Sequence, residues 1–340
     1  MPAAPAPAAE PFGSGPVVVG PGDDRIHWLG GAMSIFDRGP RSRYALSAAV
    51  DELPGGGGPV WHRHTREEET FFVLGGAVDF FTANAPGGVR VTGGGLISLP
   101  PGVPHRFRNA REDAASPVLL VTAPGGNMQF FADLSAPLSE PEDPTHPPDP
   151  ARFADVGARY GITMLGPDGA VGAKVHEEII ALSGGRLPVH VPAGAGEGLS
   201  IAGCNVVLKL TGATTAGSCA AAEVTLPPGG SLPTLRHARF GAFVYAFGDG
   251  LTLVADDGET PLPAGSAAVV PAGSWYAVRN AGEAAATALL YAAPAGLEHF
   301  LRAAGVPSAL TARGLPGDAP PPDPARVRAA GAQWGVDVGD

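Results

Sequence analysis

Gly56-Gly57-Gly58-Pro59-Val60-Trp61-His62-Arg63-His64-Thr65-Arg66-Glu67-Glu68-Glu69-Thr70-Phe71-Phe72-Val73-Leu74-Gly75-Gly76 is the stretch on which the fold turns. Glycine and proline open it, glycine closes it, and the β-favouring run Thr70 to Leu74 lies between, which is how short strands joined by turns read. His62 and His64 are two residues apart, so on a strand both side chains point to one face. Glu69 follows at the start of the next strand. Further on, Pro100-Pro101-Gly102-Val103-Pro104-His105-Arg106-Phe107-Arg108-Asn109 places a third histidine on a strand entered through a Pro/Gly turn. Three imidazoles and one carboxylate converging inside a barrel would bind one divalent transition metal and leave coordination positions open for small molecules. The same donors suit Fe, Mn, Ni or Co, and accommodate Zn.

Bulk composition agrees with a turn-rich β protein. The 340 residues include 50 glycines and 37 prolines, about a quarter of the chain, spread between short apolar runs. A hydrophobic content of 44% is enough for real cores. The formal charge of −11 argues against nucleic acid or an anionic membrane surface as a partner. No apolar stretch is long enough to span a membrane. The N-terminal Pro/Ala-rich residues 1–16 read as a flexible tail and not as a secretory signal, so a cytoplasmic location is expected. Cys204 and Cys219 flank an expected hairpin; a disulfide between them is conceivable, but buried reduced thiols are the reading that fits that location.

The chain repeats itself. Pro147-Pro148-Asp149-Pro150-Ala151-Arg152 recurs as Pro321-Pro322-Asp323-Pro324-Ala325-Arg326, and Tyr160-Gly161-Ile162 matches Trp334-Gly335-Val336. Gly94, Pro100, Gly102 and Asn109 each have a counterpart 171 residues on, at Gly265, Pro271, Gly273 and Asn280. Each copy is therefore a β-rich region with a helical tail: residues 127–134 and 151–159 in the first, 297–304 and 325–333 in the second. A first unit over 17–162 and a second over 163–340 are expected. Aligning Gly250 with Gly76 sets Arg236, Ala238, Phe243 and Tyr276 against His62, His64, Glu69 and His105. In that register the second unit has lost its ligands, and strand alternation turns His237 away.

These residues resemble the two signature motifs of the cupin superfamily. His62, His64, Glu69 and Gly76 fit the first motif, and Gly94, Pro100, Gly102, His105 and Asn109 fit the second. With the repeat, the chain resembles a bicupin, which implies an all-β fold of two jelly-roll β-barrels, each followed by a short helical tail. The tail elements, with Phe130-Phe131 and the repeated Pro-Pro-Asp-Pro-Ala-Arg, are similar to the quercetin 2,3-dioxygenase-like group. That resemblance implies a metal held by the three histidines and the glutamate, a flavonol opened by O₂ with loss of carbon monoxide, and Glu69 as both ligand and base.

The leading expectation is thus a metal-dependent dioxygenase acting on an aromatic or enolisable, polyketide- or flavonol-like small molecule, with O₂ as co-substrate. A non-redox isomerase, cyclase or lyase using the same site, and a non-catalytic small-molecule binding protein, are the rivals. The chain could work as a monomer or homodimer. Glu67 and Glu68 read as solvated turn residues, Asn109 as a fold residue, and Trp61 as a surface or interface residue. Phe71, Val73, Phe80 and Phe107 are candidates for lining a pocket. His27, His146, His190 and His299 are isolated. Val175-His176-Glu177-Glu178 lacks the second histidine of a metalloprotease helix.

Overall fold

The computed structural model describes residues 15–83, 85–135, 149–167, 173–317 and 323–339. Most of the N-terminal tail, His146 and most of the two proline-rich connectors lie outside the described residues.

Short alternating strands close into two barrels, each made of two antiparallel sheets. In the first barrel a five-stranded sheet runs in the order Ile162–Met164, His62–His64, His105–Asn109, Ala77–Thr82, Ala85–Thr92. Facing it is a seven-stranded sheet: Val189–Val191, Leu96–Leu99, Glu68–Val73, Ser116–Ala123, Ser47–Leu53, Gly31–Asp37, Arg25–Trp28. The second barrel repeats the plan. Its five-stranded sheet includes Leu235–His237, Trp275–Asn280 and Val336–Val338, and its eight-stranded sheet includes Gly241–Ala246, Ala286–Ala293 and Ala220–Leu226. The all-β architecture expected from the sequence is the one observed.

The large sheets are buried on both faces, which explains strands without polar alternation. Phe71 and Val73 point into the first barrel's core, whereas Phe72 between them joins a separate cluster with Phe36, Leu119, Phe243, Tyr245 and Tyr291. Val244 and Ala246 point into the second barrel's core in the same manner. The intermediate cluster thus lies between the barrels, and residues from both halves build it.

Each half also lends the other a strand. Val17–Val19 pairs with Ala267–Val270 of the second barrel, and Val189–Val191 pairs with Leu96–Leu99 of the first. A cut at 162/163 falls inside the strand Ile162–Met164, which pairs with His62–His64. The helix Ala173–Ser183 also sits on the first barrel, where Glu178 bonds Arg63 at 2.8 Å. Leu182 and Ile179 of that helix lie so close to Gly102 that a Cβ there would meet Leu182 at 2.9 Å. Gly102 also has φ +85°, a region only glycine enters freely.

The tails form the helices Met128–Leu134 and Pro150–Arg159 in the first half, and Leu297–Ala304 and Pro324–Trp334 in the second. Pro150 and Pro324 occupy the first helical position, where a missing N–H costs nothing. The side chain of Asn109 bonds Leu53 O, Pro54 O, Ala114 O, Arg111 N and Ser116 Oγ, so it ties one corner of the barrel together. Asn280 does the same in the second copy through Leu226, Gly282 and Ala284.

The cysteines match the expectation of buried, unbridged thiols, whereas Trp61 meets different surroundings. Cys204 and Cys219 are both free and buried, and the hairpin register sets them at opposite ends of the ladder, which rules out a bridge. Burial pushes both thiols up to about 12. Trp61 alternates away from His62 as expected, yet it is buried, with the Arg106 guanidinium 5.6 Å from its ring centroid.

Candidate metal centre

Strand alternation and one pairing build the site. His62 and His64 project from the same face of their strand, His105 is paired directly with His62, and Glu69 comes from the opposing sheet. Their donor atoms all lie within 4.8 Å of one another. The ring centroids of His62 and His105 are 4.3 Å apart, and those of His62 and His64 5.3 Å. All four side chains are buried, at 2 to 7% exposure.

The hydrogen bonds around the cage fix two tautomers. His62 Nδ1 lies 2.8 Å from Val60 O, and His105 Nδ1 lies 2.9 Å from Val103 O. A carbonyl oxygen only accepts, so each Nδ1 carries the proton and each Nε2 keeps a lone pair for the interior. His64 Nδ1 stands 3.5 Å from Glu67 Oε2. Glu69 Oε2 and His105 Nε2 approach to 2.9 Å without the geometry of a hydrogen bond, and both atoms lack any such partner. Buried lone pairs facing one another are costly unless a cation lies between them. The donor set therefore fits one divalent metal ion.

The electrostatics are those of a site built for positive charge. Burial, reinforced by the neighbouring imidazoles of His105 and His64, holds His62 well below its usual pKa. Burial also opposes protonation of His64, but Glu69 and Glu67 outweigh it and raise its pKa. Burial works against ionisation of Glu69, yet His64 and His105 overcome it and bring its pKa to about 2.

Glu67 and Glu68 are not solvated turn residues. Glu68 accepts from Ser98 Oγ at 2.8 Å and pairs with Arg186 at 2.8 Å, while Glu67 stands behind His64; both are buried. Arg186, which pairs with Glu68, comes from the segment after position 172, which sequence proximity does not bring to mind.

A cavity of about 380 Å³ opens onto His62, His64 and Glu69. Of the apolar residues expected to line a pocket, Phe71 and Phe107 do so, while Val73 and Phe80 are packed in the core. Trp28, Phe130, Phe131 and Phe153 complete the wall. The last three are brought over the barrel by the tail helices, so a helical composition marked their segment but not their destination. Asp51 also lines the cavity and was not singled out in the sequence.

In the second barrel the alignment made from the nearest glycine needs correcting by one residue. Ile162 pairs with His64, and its counterpart Val336 pairs with His237. His105 pairs with His62, and its counterpart Tyr276 pairs with Leu235. Glu69 pairs with Leu99, and Ala242 pairs with Val270. The residues matching His62, His64, Glu69 and His105 are therefore Leu235, His237, Ala242 and Tyr276. The turn at Phe247-Gly248-Asp249-Gly250 holds one residue more than Leu74-Gly75-Gly76, which displaced the count. His237 thus faces the interior, not away from it. Its Nδ1 donates to Phe240 O at 2.6 Å, and its Nε2 lies 3.3 Å from the Tyr276 hydroxyl. Among the described residues only the first barrel gathers a metal-binding set.

Comparison with known proteins agrees with this picture. The cupin domain model matches residues 49–121 and again 222–292. Among solved structures, the chain is similar to the Mn(II)-containing oxalate decarboxylase of Bacillus subtilis, with 19% identity, 82% of this chain and 77% of that chain covered, and a TM-score of 0.56. It is also similar to the formate complex of Lactobacillus farciminis oxalate decarboxylase, with 18% identity, coverage of 82% and 86%, and a TM-score of 0.57. At these identities the likeness describes the fold. Curated protein sequences give no significant match. Among the described residues, no helix is long and apolar enough to cross a membrane.

Proposed function

We propose, from the premise that the chain is a bicupin with one four-donor cage, that it is a metal-dependent dioxygenase acting on an aromatic, enolisable, flavonol- or polyketide-like small molecule. The observation that carries this reading is the cavity. Its wall is mostly aromatic and aliphatic, its volume suits a molecule of two or three rings, and no lysine or arginine among the described residues lines it. The solved structures it resembles are named for oxalate, a small dianion that calls for cationic side chains beside the metal. This cavity supplies none, so a larger and less charged substrate fits it better.

A bound divalent ion would acidify a phenol or enol and stabilise its anion, and a redox-active ion would also open a route to O₂. His62, His64, His105 and Glu69 would hold that ion. Trp28, Phe71, Phe107 and Phe130 would orient the ring system edge or face toward the cage and keep water out. Glu69 would receive the hydroxyl proton on a carboxylate oxygen. Held ionised by its histidine neighbours against the effect of burial, Glu69 would take a proton only from a hydroxyl that has itself been acidified, which ties this step to the cage.

The test is oxygen uptake and carbon monoxide release on adding 3-hydroxyflavone or quercetin to metal-loaded protein. Uptake that matches substrate loss, and that is abolished in Glu69→Gln, supports the reading. Turnover of either probe without oxygen moves the assignment to a non-redox lyase or isomerase, the reading favoured by the fold likeness to decarboxylases.

A further inference from the structure

Asp51 breaks the pattern of its strand. In Ser47–Leu53 the residues with inward parity are Ser47, Ala49, Asp51 and Leu53; Ser47 Oγ accepts from Gly126 N at 2.7 Å, and Ala49 and Leu53 belong to the apolar core. Asp51 is 7% exposed, lines the cavity, and has a buried Oδ1 with no hydrogen-bond partner. Its cross-strand neighbours are Met33 and Val118, both apolar and both in the cavity wall. The adjacent Glu52 is tied to Arg25 at 2.7 Å, on the other face of the strand. A buried carboxyl oxygen without a partner destabilises a fold, and none of the described residues supplies Asp51 Oδ1 with one.

The ladder places Asp51 relative to the cage. Glu69 lies opposite Thr122, which lies opposite Ser47, whereas Asp51 lies opposite Val118, which lies opposite Val73. Asp51 is thus four residues along the sheet from the Glu69 row and two strands across. At ~3.4 Å per residue and ~4.8 Å per strand this is about 14 Å along and about 10 Å across. One continuous cavity touches both residues.

We propose that Asp51 is the second polar anchor of the cavity, hydrogen-bonding a hydroxyl group on the end of the substrate remote from the metal cage. This deepens the reading of the site given above and rests on it. A hydroxyl is the partner that suits the group chemically. Burial, and to a smaller extent Glu52, pushes the Asp51 pKa up to about 7, so both protonation forms are present near neutrality. A hydroxyl donates to the carboxylate and accepts from the acid, whereas a carbonyl or an ammonium satisfies only one of them. Asp51 is accordingly a specificity residue: it selects among ring systems that already engage the cage.

The experiment compares two probes on metal-loaded protein without oxygen, 3-hydroxyflavone and 3,4′-dihydroxyflavone, by calorimetry on wild type, Asp51→Leu and Asp51→Asn. In wild type the distal hydroxyl is expected to tighten binding about tenfold, the worth of one hydrogen bond to a charged or nearly charged group. Asp51→Leu should erase that gain and bind 3-hydroxyflavone at least as tightly as wild type; Asp51→Asn should keep part of the gain. An equal gain in wild type and Asp51→Leu, or no gain in wild type, overturns the proposal. Failure of both probes to bind wild type overturns the flavonol reading instead, and thermal unfolding at pH 8 then decides on Asp51. A carboxyl kept for a ligand predicts a higher Tm in Asp51→Leu. A lower Tm in both variants makes Asp51 a structural residue and sinks the anchor.

Discussion

The two barrels share strand order, tail helices, the corner asparagines Asn109 and Asn280, and a cis bond at Ala123–Pro124 and Ala293–Pro294, yet their centres differ. In the first, His62, His64, Glu69 and His105 converge beneath an open cavity. In the second, Leu235, Ala242 and Tyr276 join the continuous core, and only His237 remains. That histidine is enclosed by the stacked Phe240 ring and the Tyr276 hydroxyl, so its polar atoms are satisfied within the barrel. The contrast shows that the jelly roll does not need the cage. An apolar filling closes the same scaffold, so the donor set in the first barrel is retained for what it binds.

The largest expected effect separates the barrels directly. His62→Ala or His105→Ala should weaken metal binding by at least about a hundredfold, because each removes a donor to the ion itself. Tyr276→Ala should leave the stoichiometry at about one ion per chain. Elemental analysis of untagged protein checks both, and metal retained by His62→Ala or His105→Ala breaks the assignment of the cage.

The register correction has a constructive test. Leu235→His, Ala242→Glu and Tyr276→His together with the native His237 should create a second cage and bring the metal content to two ions per chain. Without metal the triple variant should be less stable by several kcal/mol, since it buries unpaired polar groups. A folded triple variant that still binds one ion would show that the corrected register is wrong.

His237 should also make the second barrel sensitive to acid. Burial lowers its pKa to about 4, below its unfolded value of 6.5. The unfolded chain therefore takes up the proton first as pH falls. Stability is full above about 6.5, declines between 6.5 and 4, and then levels off, for a loss of about 3 kcal/mol. His237→Gln should flatten that part of the pH–stability curve relative to wild type, and an unchanged slope would remove His237 as its source. Smaller still, Tyr276→Phe removes the hydroxyl beside His237 Nε2 and should cost about 1 kcal/mol in denaturant unfolding.

Much of the first centre was legible in the chain because its information is local. A two-residue spacing on a strand puts His62 and His64 on one face whatever surrounds them, and the Pro/Gly turn before His105 announces the strand that follows. The second centre was misread for a reason equally physical. A turn absorbs an extra residue without disturbing the ladder, so counting from Gly250 shifted the counterparts of His62, His64 and Glu69 by one, whereas the pairing of Val336 with His237 restores them. Glu67, Glu68 and Trp61 read as exposed because local polarity and alternation are silent about what arrives from a distance. Asp51 left a signal that went unused, a charge at the position between the inward Ala49 and Leu53 of its strand.

Spacing, alternation and repetition along the chain thus point to a turn-rich β fold in two copies, to helical tails and to four candidate donors, since each depends on residues near one another in sequence. The cavity, the covering of Glu68 by Arg186, the exchange of Val17–Val19 and Val189–Val191 between barrels, and the inward place of His237 come from the folded molecule. These features depend on which surfaces meet between segments far apart in sequence. Strand register and packing decide that, and no local pattern encodes it.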